Sequence, residues 1–163
     1  MPIYEFMPDT IRSLEPTTFG AAGVKERHDL QRLLRTQIQI TVNGTVLKGL
    51  PKRQAIFTVV KYLCESEITP EQIIGHAPWR KNSMFWSVEG NVGSEEFLSK
   101  ALSRSPSGRK FDPHRFFIND SELIHSDGRT YALSNQWGIR TYPLIKALIE
   151  AFPNRKVECT PSA

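Results

Sequence analysis

Basic side chains and tryptophans are the residues of this sequence whose types and spacing could do chemistry. Between residues 100 and 115, five basic side chains accompany one acidic side chain. Lysines and arginines crowded in this way can neutralise the phosphates of a nucleic acid, and an exposed tryptophan can stack on an unpaired base. The residues predicted to bind nucleic acid are Arg80, Lys81, Lys100, Arg104, Arg109, Lys110, Arg115 and Arg129, with Trp79 and Trp86 as candidates for base stacking.

The same residues also have a plainer explanation. A positively charged loop is more often solvated surface, and a tryptophan near proline and glycine more often fills a core. The distribution of charge favours binding. Residues 1–40 hold five basic and five acidic side chains, so the net charge of +4 lies entirely after residue 40.

Few residue patterns in the sequence indicate catalysis. The four histidines are far apart and form no zinc-binding pair, and Cys64 lies on an apolar helical pattern that is typical of a structural thiol. Asp120 and Glu122 are spaced like paired metal ligands, but no Asp-x-Lys or Glu-x-Lys accompanies them, and a solvated strand start is the commoner explanation. We therefore expect no metal or cofactor, and we lean against an enzyme.

Composition limits the class of protein. A chain of 163 residues with 39% hydrophobic and 23% charged residues is not disordered throughout, and it fits one domain with an appendage. No apolar run approaches the length of a membrane span, and residues 1–10 lack the pattern of a signal peptide. Two cysteines, Cys64 and Cys159, are too few for a disulfide framework. We expect free thiols and a cytoplasmic location.

The elements that must position the basic residues indicate an α+β fold with two β-hairpins. Asn43-Gly44 and Asp127-Gly128 each predict a hairpin, because a type I′ turn needs positive φ at both central residues. Their strands would cover 38–42 with 45–49, and 122–126 with 129–134.

Apolar spacing predicts a helix over 54–64 and another between Pro143 and Pro153. Thr69 with Gln72 predicts a capping box for a short helix over 69–77, and Ser94 caps a helix over 94–103.

Three of these helices followed by the second hairpin have the order of a winged helix. In such modules a helix enters the major groove while the hairpin reaches phosphate or the minor groove, and Arg129 would then lie at the hairpin tip. The helices over 69–77 and 94–103 are farther apart than a tight helix-turn-helix allows. We expect an arm and an amphipathic helix over 1–39, the α+β domain over 40–154, and a frayed tail over 155–163.

A competing function comes from the amphipathic helix. It would begin near Lys25, and its apolar stripe would dock on a nuclease or on a second copy of the chain. In that case the protein is an interaction or oligomerisation module, and the basic loop is only solvated surface. The stripe consists of Leu30, Leu33, Leu34 and Ile38.

Two stretches of the chain resemble a known group of proteins. Met1-Pro-Ile-Tyr-Glu and residues 17–38 resemble the opening of prokaryotic PD-(D/E)XK endonuclease-like proteins. Gly49-Leu-Pro-Lys-Arg and the residues onward through Gly128-Arg-Thr-Tyr-Ala-Leu are similar to the C-terminal domain of some of these proteins. The nuclease core that separates the two stretches in that group is missing here, together with its metal ligands. The resemblance implies a non-catalytic DNA-recognition module of a restriction or nuclease-associated system.

Overall fold

Residues 4–7, 10–13, 37–103 and 110–161 are described by the computed structural model of this chain. The chain divides into two units, residues 1–36 and 37–163. In the first unit, strand β1 (Tyr4–Met7) pairs antiparallel with β2 (Thr10–Ser13). The predicted amphipathic helix, with Leu30, Leu33 and Leu34, lies outside the described residues.

The described part of the second unit has four helices and two three-stranded antiparallel sheets, which confirms the α+β class. The first sheet has the order β4-β3-β8, and the second has the order β5-β7-β6. In chain order the elements are β3 (Ile38–Val42), β4 (Thr45–Leu50), α1 (Lys52–Glu65), α2 (Pro70–Gly75), β5 (Phe85–Glu89), α3 (Ser94–Ser103), β6 (Ile124–Ser126), β7 (Arg129–Leu133), α4 (Thr141–Ala151) and β8 (Val157–Pro161). Among these helices none has both the length and the apolar character needed to cross a bilayer.

Both predicted hairpins are confirmed. Asn43 and Gly44 have φ values of 47° and 83° between β3 and β4, and Asp127 and Gly128 have φ values of 50° and 71° between β6 and β7. Positive φ at two successive residues is the requirement of the type I′ turn, so these two dipeptides determine where the chain reverses.

The first sheet corrects two predictions. Ile38, expected on the exposed stripe of a helix, lies in β3 and is 1% exposed. Residues 157–161, expected to be frayed, form β8 and pair with β3 through Cys159 opposite Ile40. The reason is an alternating pattern: Val157 is buried and Cys159 packs against the core, while the residues between and after them are exposed.

The second sheet is covered on both faces. Tyr131 and Leu133 of β7 join the large core cluster that includes the buried face of α1, whereas Ala132 joins a smaller cluster with Phe97 of α3. This alternation follows the two-residue period of a strand. Strand β5, which pairs with β7, was missed in a stretch whose mixture of aromatic and basic residues shows no clear period.

The helix starts are partly as predicted. The capping box of α2 is confirmed, because the Gln72 N–H donates to Thr69 Oγ1 at 3.3 Å and the Thr69 N–H donates to Gln72 Oε1 at 2.9 Å. Helix α3 has a different cap from the one predicted. Ser94 is already in the helix, and its N–H donates to Asp120 Oδ1 at 2.7 Å.

Candidate nucleic-acid interface

Three connecting segments meet at one end of the second sheet, and we call them together the basic end. They are residues 78–83 before β5, residues 110–116, and residues 134–141 after β7. Together they contain five basic side chains and one acidic side chain, so their excess of positive charge equals the net charge of the whole chain. The basic residues are Arg80, Lys81, Lys110, Arg115 and Arg140, and the acidic residue is Asp112.

Hydrogen bonds hold the three segments together. The Ser134 N–H donates to the Met84 carbonyl at 2.8 Å, and the Asn135 N–H donates to the Arg115 carbonyl at 2.9 Å. The Asn135 side-chain Nδ2 also donates to the His114 carbonyl at 2.9 Å. Asn135 therefore fixes the turn that presents Arg115 next to the segment after β7.

Two arginines of the basic end lie over tryptophan rings. The Arg80 Cζ is 4.2 Å from the centre of the Trp137 ring, and the Arg140 Cζ is 5.5 Å from the centre of the Trp79 ring. Both distances are in the range of cation–π attraction. Trp137 is itself fixed, because its Nε1–H donates to the Ser134 carbonyl. The Arg80 guanidinium is therefore positioned in advance.

The positive charges of the basic end are not neutralised by the described residues. Burial lowers the pKa of Arg80, and the nearby Arg115 lowers it further. An arginine nevertheless stays protonated at neutral pH, so a cation is held where its charge is unfavourable. Within residues 37–103 and 110–161, no carboxylate lies within ion-pair distance of Arg80, Arg115 or Arg140. A bound anion would relieve this repulsion.

A cleft opens between the two tryptophans. Its volume is about 350 Å³, and residues 79–80, 83 and 136–141 line it. Ile139, at its rim, is 87% exposed, and Trp79 is 44% exposed. Large apolar side chains exposed next to uncompensated cations mark a surface that can bind a ligand with both apolar and anionic parts.

The structure places Lys100 and Arg129 away from the basic end. Lys100 Nζ lies 2.8 Å from Glu96 Oε1 and donates to the Glu89 carbonyl at 3.1 Å. Glu89 pairs with Arg129 at one end of the β5–β7 ladder, whereas the basic end adjoins the other. Along the strands the two ends are about 14 Å apart. The described residues among the predicted basic ones therefore form two groups rather than one surface.

The other predicted binding residues are distributed as follows. Lys81, Lys110 and Arg115 are exposed at the basic end. Arg104 and Arg109 lie outside the described residues. Trp86 is half-buried, with its ring centre 5.0 Å from that of Phe111 and 6.2 Å from that of Phe116. The structure thus places Trp86 in an aromatic cluster and leaves Trp79 as the more exposed of the two candidates for base stacking.

The weak catalytic candidates have structural partners. Asp120 accepts the Ser94 N–H, and Glu122 Oε2 accepts the Asn119 N–H at 3.1 Å. In the described part of the chain, no group of three His, Cys, Asp or Glu side chains is arranged to hold a metal ion.

Both cysteines are free and protonated at neutral pH. Burial, assisted by Glu71 and Glu65, raises the pKa of Cys64 to about 12. Burial likewise raises the pKa of Cys159 to about 11, although Lys146 opposes the shift. A thiol with a raised pKa is a poor nucleophile, so both side chains act in packing.

Sequence reasoning missed Arg140, which lies more than twenty residues beyond the basic stretch on which it concentrated. The available signal was Ile139, a large apolar residue between Gly138 and Arg140 in a segment without periodicity.

Comparisons with protein families, with curated proteins and with solved structures found no match.

Proposed function

We propose that this protein is a non-catalytic DNA-binding module that holds phosphates at its basic end. The observation that supports this most strongly is the meeting of three segments that together carry five basic residues, with no carboxylate of the described residues paired to the three arginines. Phosphate binding by such a group releases condensed counterions, which gives affinity without sequence selection.

The arginines of the basic end support phosphate binding over plain solvation. Solvated basic side chains generally extend freely and lose entropy when they bind. Arg80 and Arg140 are already held over tryptophan rings, so less of that cost remains. A guanidinium group also matches the geometry of a phosphate through paired N–H donors.

The winged-helix arrangement is a weaker part of the proposal. In its support, β5 lies beside β7 of the second hairpin, and α3 precedes that hairpin in the chain. However, the hairpin tip at Asp127-Gly128 is at the opposite end of the sheet from the basic end. We therefore assign the main phosphate contacts to the basic end. A role in a restriction or nuclease-associated system rests on the resemblance alone.

Two matched double variants test the proposal. Lys81→Ala with Arg115→Ala removes one lysine and one arginine from the basic end, and Lys48→Ala with Arg129→Ala removes the same two types elsewhere. All four residues are exposed, so both variants should fold. We expect the first variant to bind a labelled DNA duplex at least about tenfold more weakly at low salt, and the second to bind nearly as well as the unmodified protein.

Fluorescence anisotropy provides the measurement. Absence of binding by the unmodified protein to both duplex and single-stranded DNA at low salt would rule out DNA binding. Equal weakening by the two variants would contradict the assignment to the basic end, because the effect would then follow total charge rather than position.

A further inference from the structure

We infer that the cleft between Trp79 and Trp137 receives an unpaired nucleobase, so that the protein prefers single-stranded or locally opened nucleic acid over intact duplex. The inference rests on the DNA binding proposed above and names the part of the ligand that this cleft would recognise. It depends on the size of the cleft, on its exposed apolar groups and on the position of its two arginines.

The cleft is large enough to take a small group. Its volume of about 350 Å³ is at the lower end of the range for small-molecule sites. Trp79 and Ile139 expose apolar surface to it. A ligand that only carried charge would leave this apolar surface in water, so the favoured ligand has an apolar face of its own.

The arginines and tryptophans define the shape and charge of that ligand. Aromatic rings, indole among them, and guanidinium planes are the side-chain groups on which nucleobases stack in single-stranded complexes. Arg80 lies over Trp137 and Arg140 lies over Trp79, and all four of these residues line the cleft. A nucleotide satisfies both requirements, because it joins a planar ring to a phosphate.

Polar groups at the cleft could bind the edge of a base. Ser83 and Gln136 both line it, and each side chain can donate and accept hydrogen bonds. The Gln136 amide donates to Asn135 Oδ1, which orients the amide. Base edges and faces in a regular duplex are stacked and paired, so a base must leave the helix to reach such a cleft.

The experiment compares three fluorescein-labelled DNA probes of about 15 nucleotides: a single strand, its duplex, and a single strand in which abasic sugars replace the nucleotides. The abasic strand keeps the phosphates and removes the bases. We expect the unmodified protein to bind the intact strand at least about fivefold more tightly than the abasic strand, since one stacked base contributes at least that much. The duplex should bind more weakly than the intact strand.

Two variants identify the cleft as the source of this preference. Trp79→Ala should lower the affinity for the intact strand to near that for the abasic strand, and Trp79→Phe should restore part of the difference. Ile139→Asp places a negative charge at the rim and should weaken binding of the intact strand. Because Ile139 is 87% exposed, this second variant should fold even if the first one does not.

The outcomes separate this inference from the proposed function. Equal binding of the intact and abasic strands, or unchanged preference in both variants, would overturn the base cleft while leaving phosphate binding in place. Absence of binding to all three probes would overturn both. Competition by a poly-glutamate peptide as effective as that by the intact strand would also overturn the inference, and would indicate an acidic protein as the partner.

Discussion

The Thr130 side chain connects both ends of the loop between β5 and α3. Its buried hydroxyl donates to the Gly90 carbonyl at 2.7 Å and accepts the Val92 N–H at 3.0 Å, and it lies 3.0 Å from His125 Nδ1. Thr130→Val keeps the shape of the side chain but leaves these polar groups without a partner. We expect a loss of roughly 1–3 kcal/mol in the free energy of unfolding, and a smaller loss for Thr130→Ser. Urea denaturation of the two variants measures this, and equal stability of the valine variant and the unmodified protein would contradict it.

The thiol of Cys64 should react slowly in the folded protein. Its pKa is raised by burial to about 12, so little thiolate is present near pH 8. We expect iodoacetamide to modify Cys64 at least about tenfold more slowly than in urea-unfolded protein, with mass spectrometry assigning the site. Fast modification of Cys64 in the folded protein would contradict this burial.

The Cys64 thiol also makes the free energy of unfolding depend on pH in the alkaline range. The folded protein retains the Cys64 proton to a higher pH than the unfolded chain does, because the pKa is raised from 9.0 to about 12. The stabilising contribution of the protonated thiol is therefore complete below about pH 9 and is lost as the pH rises toward 12. Cys64→Ala should reduce this alkaline loss.

At the scale of elements, the stability of helix α2 depends on its N-terminal cap. A helix of six residues has too few hydrogen bonds to be stable alone. It is held by the capping box, by buried Ile73, and by the Tyr131 hydroxyl, which donates to Glu71 Oε1 at 2.7 Å. Thr69→Ala should reduce the free energy of unfolding by about 1 kcal/mol, and Thr69→Ser should retain most of it. If thermal unfolding shows equal stability for all three proteins, the cap does not have this role.

The elements also differ in how far sequence could predict them. The hairpins follow from Asn43-Gly44 and Asp127-Gly128, whose positive φ values are local properties of two residues. Strand β8 could not be predicted from local residues in this way, because its partner β3 lies more than one hundred residues earlier in the chain. A short strand is specified by what it pairs with, and local patterns contain little information on that pairing.

At the scale of the whole molecule, the basic end brings together residues that are distant in sequence. Arg80 and Arg140 are sixty positions apart, yet both lie at one cleft because β5 and β7 are neighbours in the second sheet. Local charge counting found Arg80 and Arg115 but also included Lys100 and Arg129, which lie at the other end of that sheet. Composition could indicate a basic surface, but only the pairing of the strands could divide it into two groups.

The salt dependence of DNA binding tests the central claim most directly. The logarithm of duplex affinity is measured against the logarithm of KCl concentration for the unmodified protein and for the variant carrying Lys81→Ala and Arg115→Ala. If both side chains contact phosphates, the slope should become shallower by about two, since each contact contributes about 0.9. An identical slope in the two proteins, or binding that does not vary with salt, would contradict phosphate binding at the basic end.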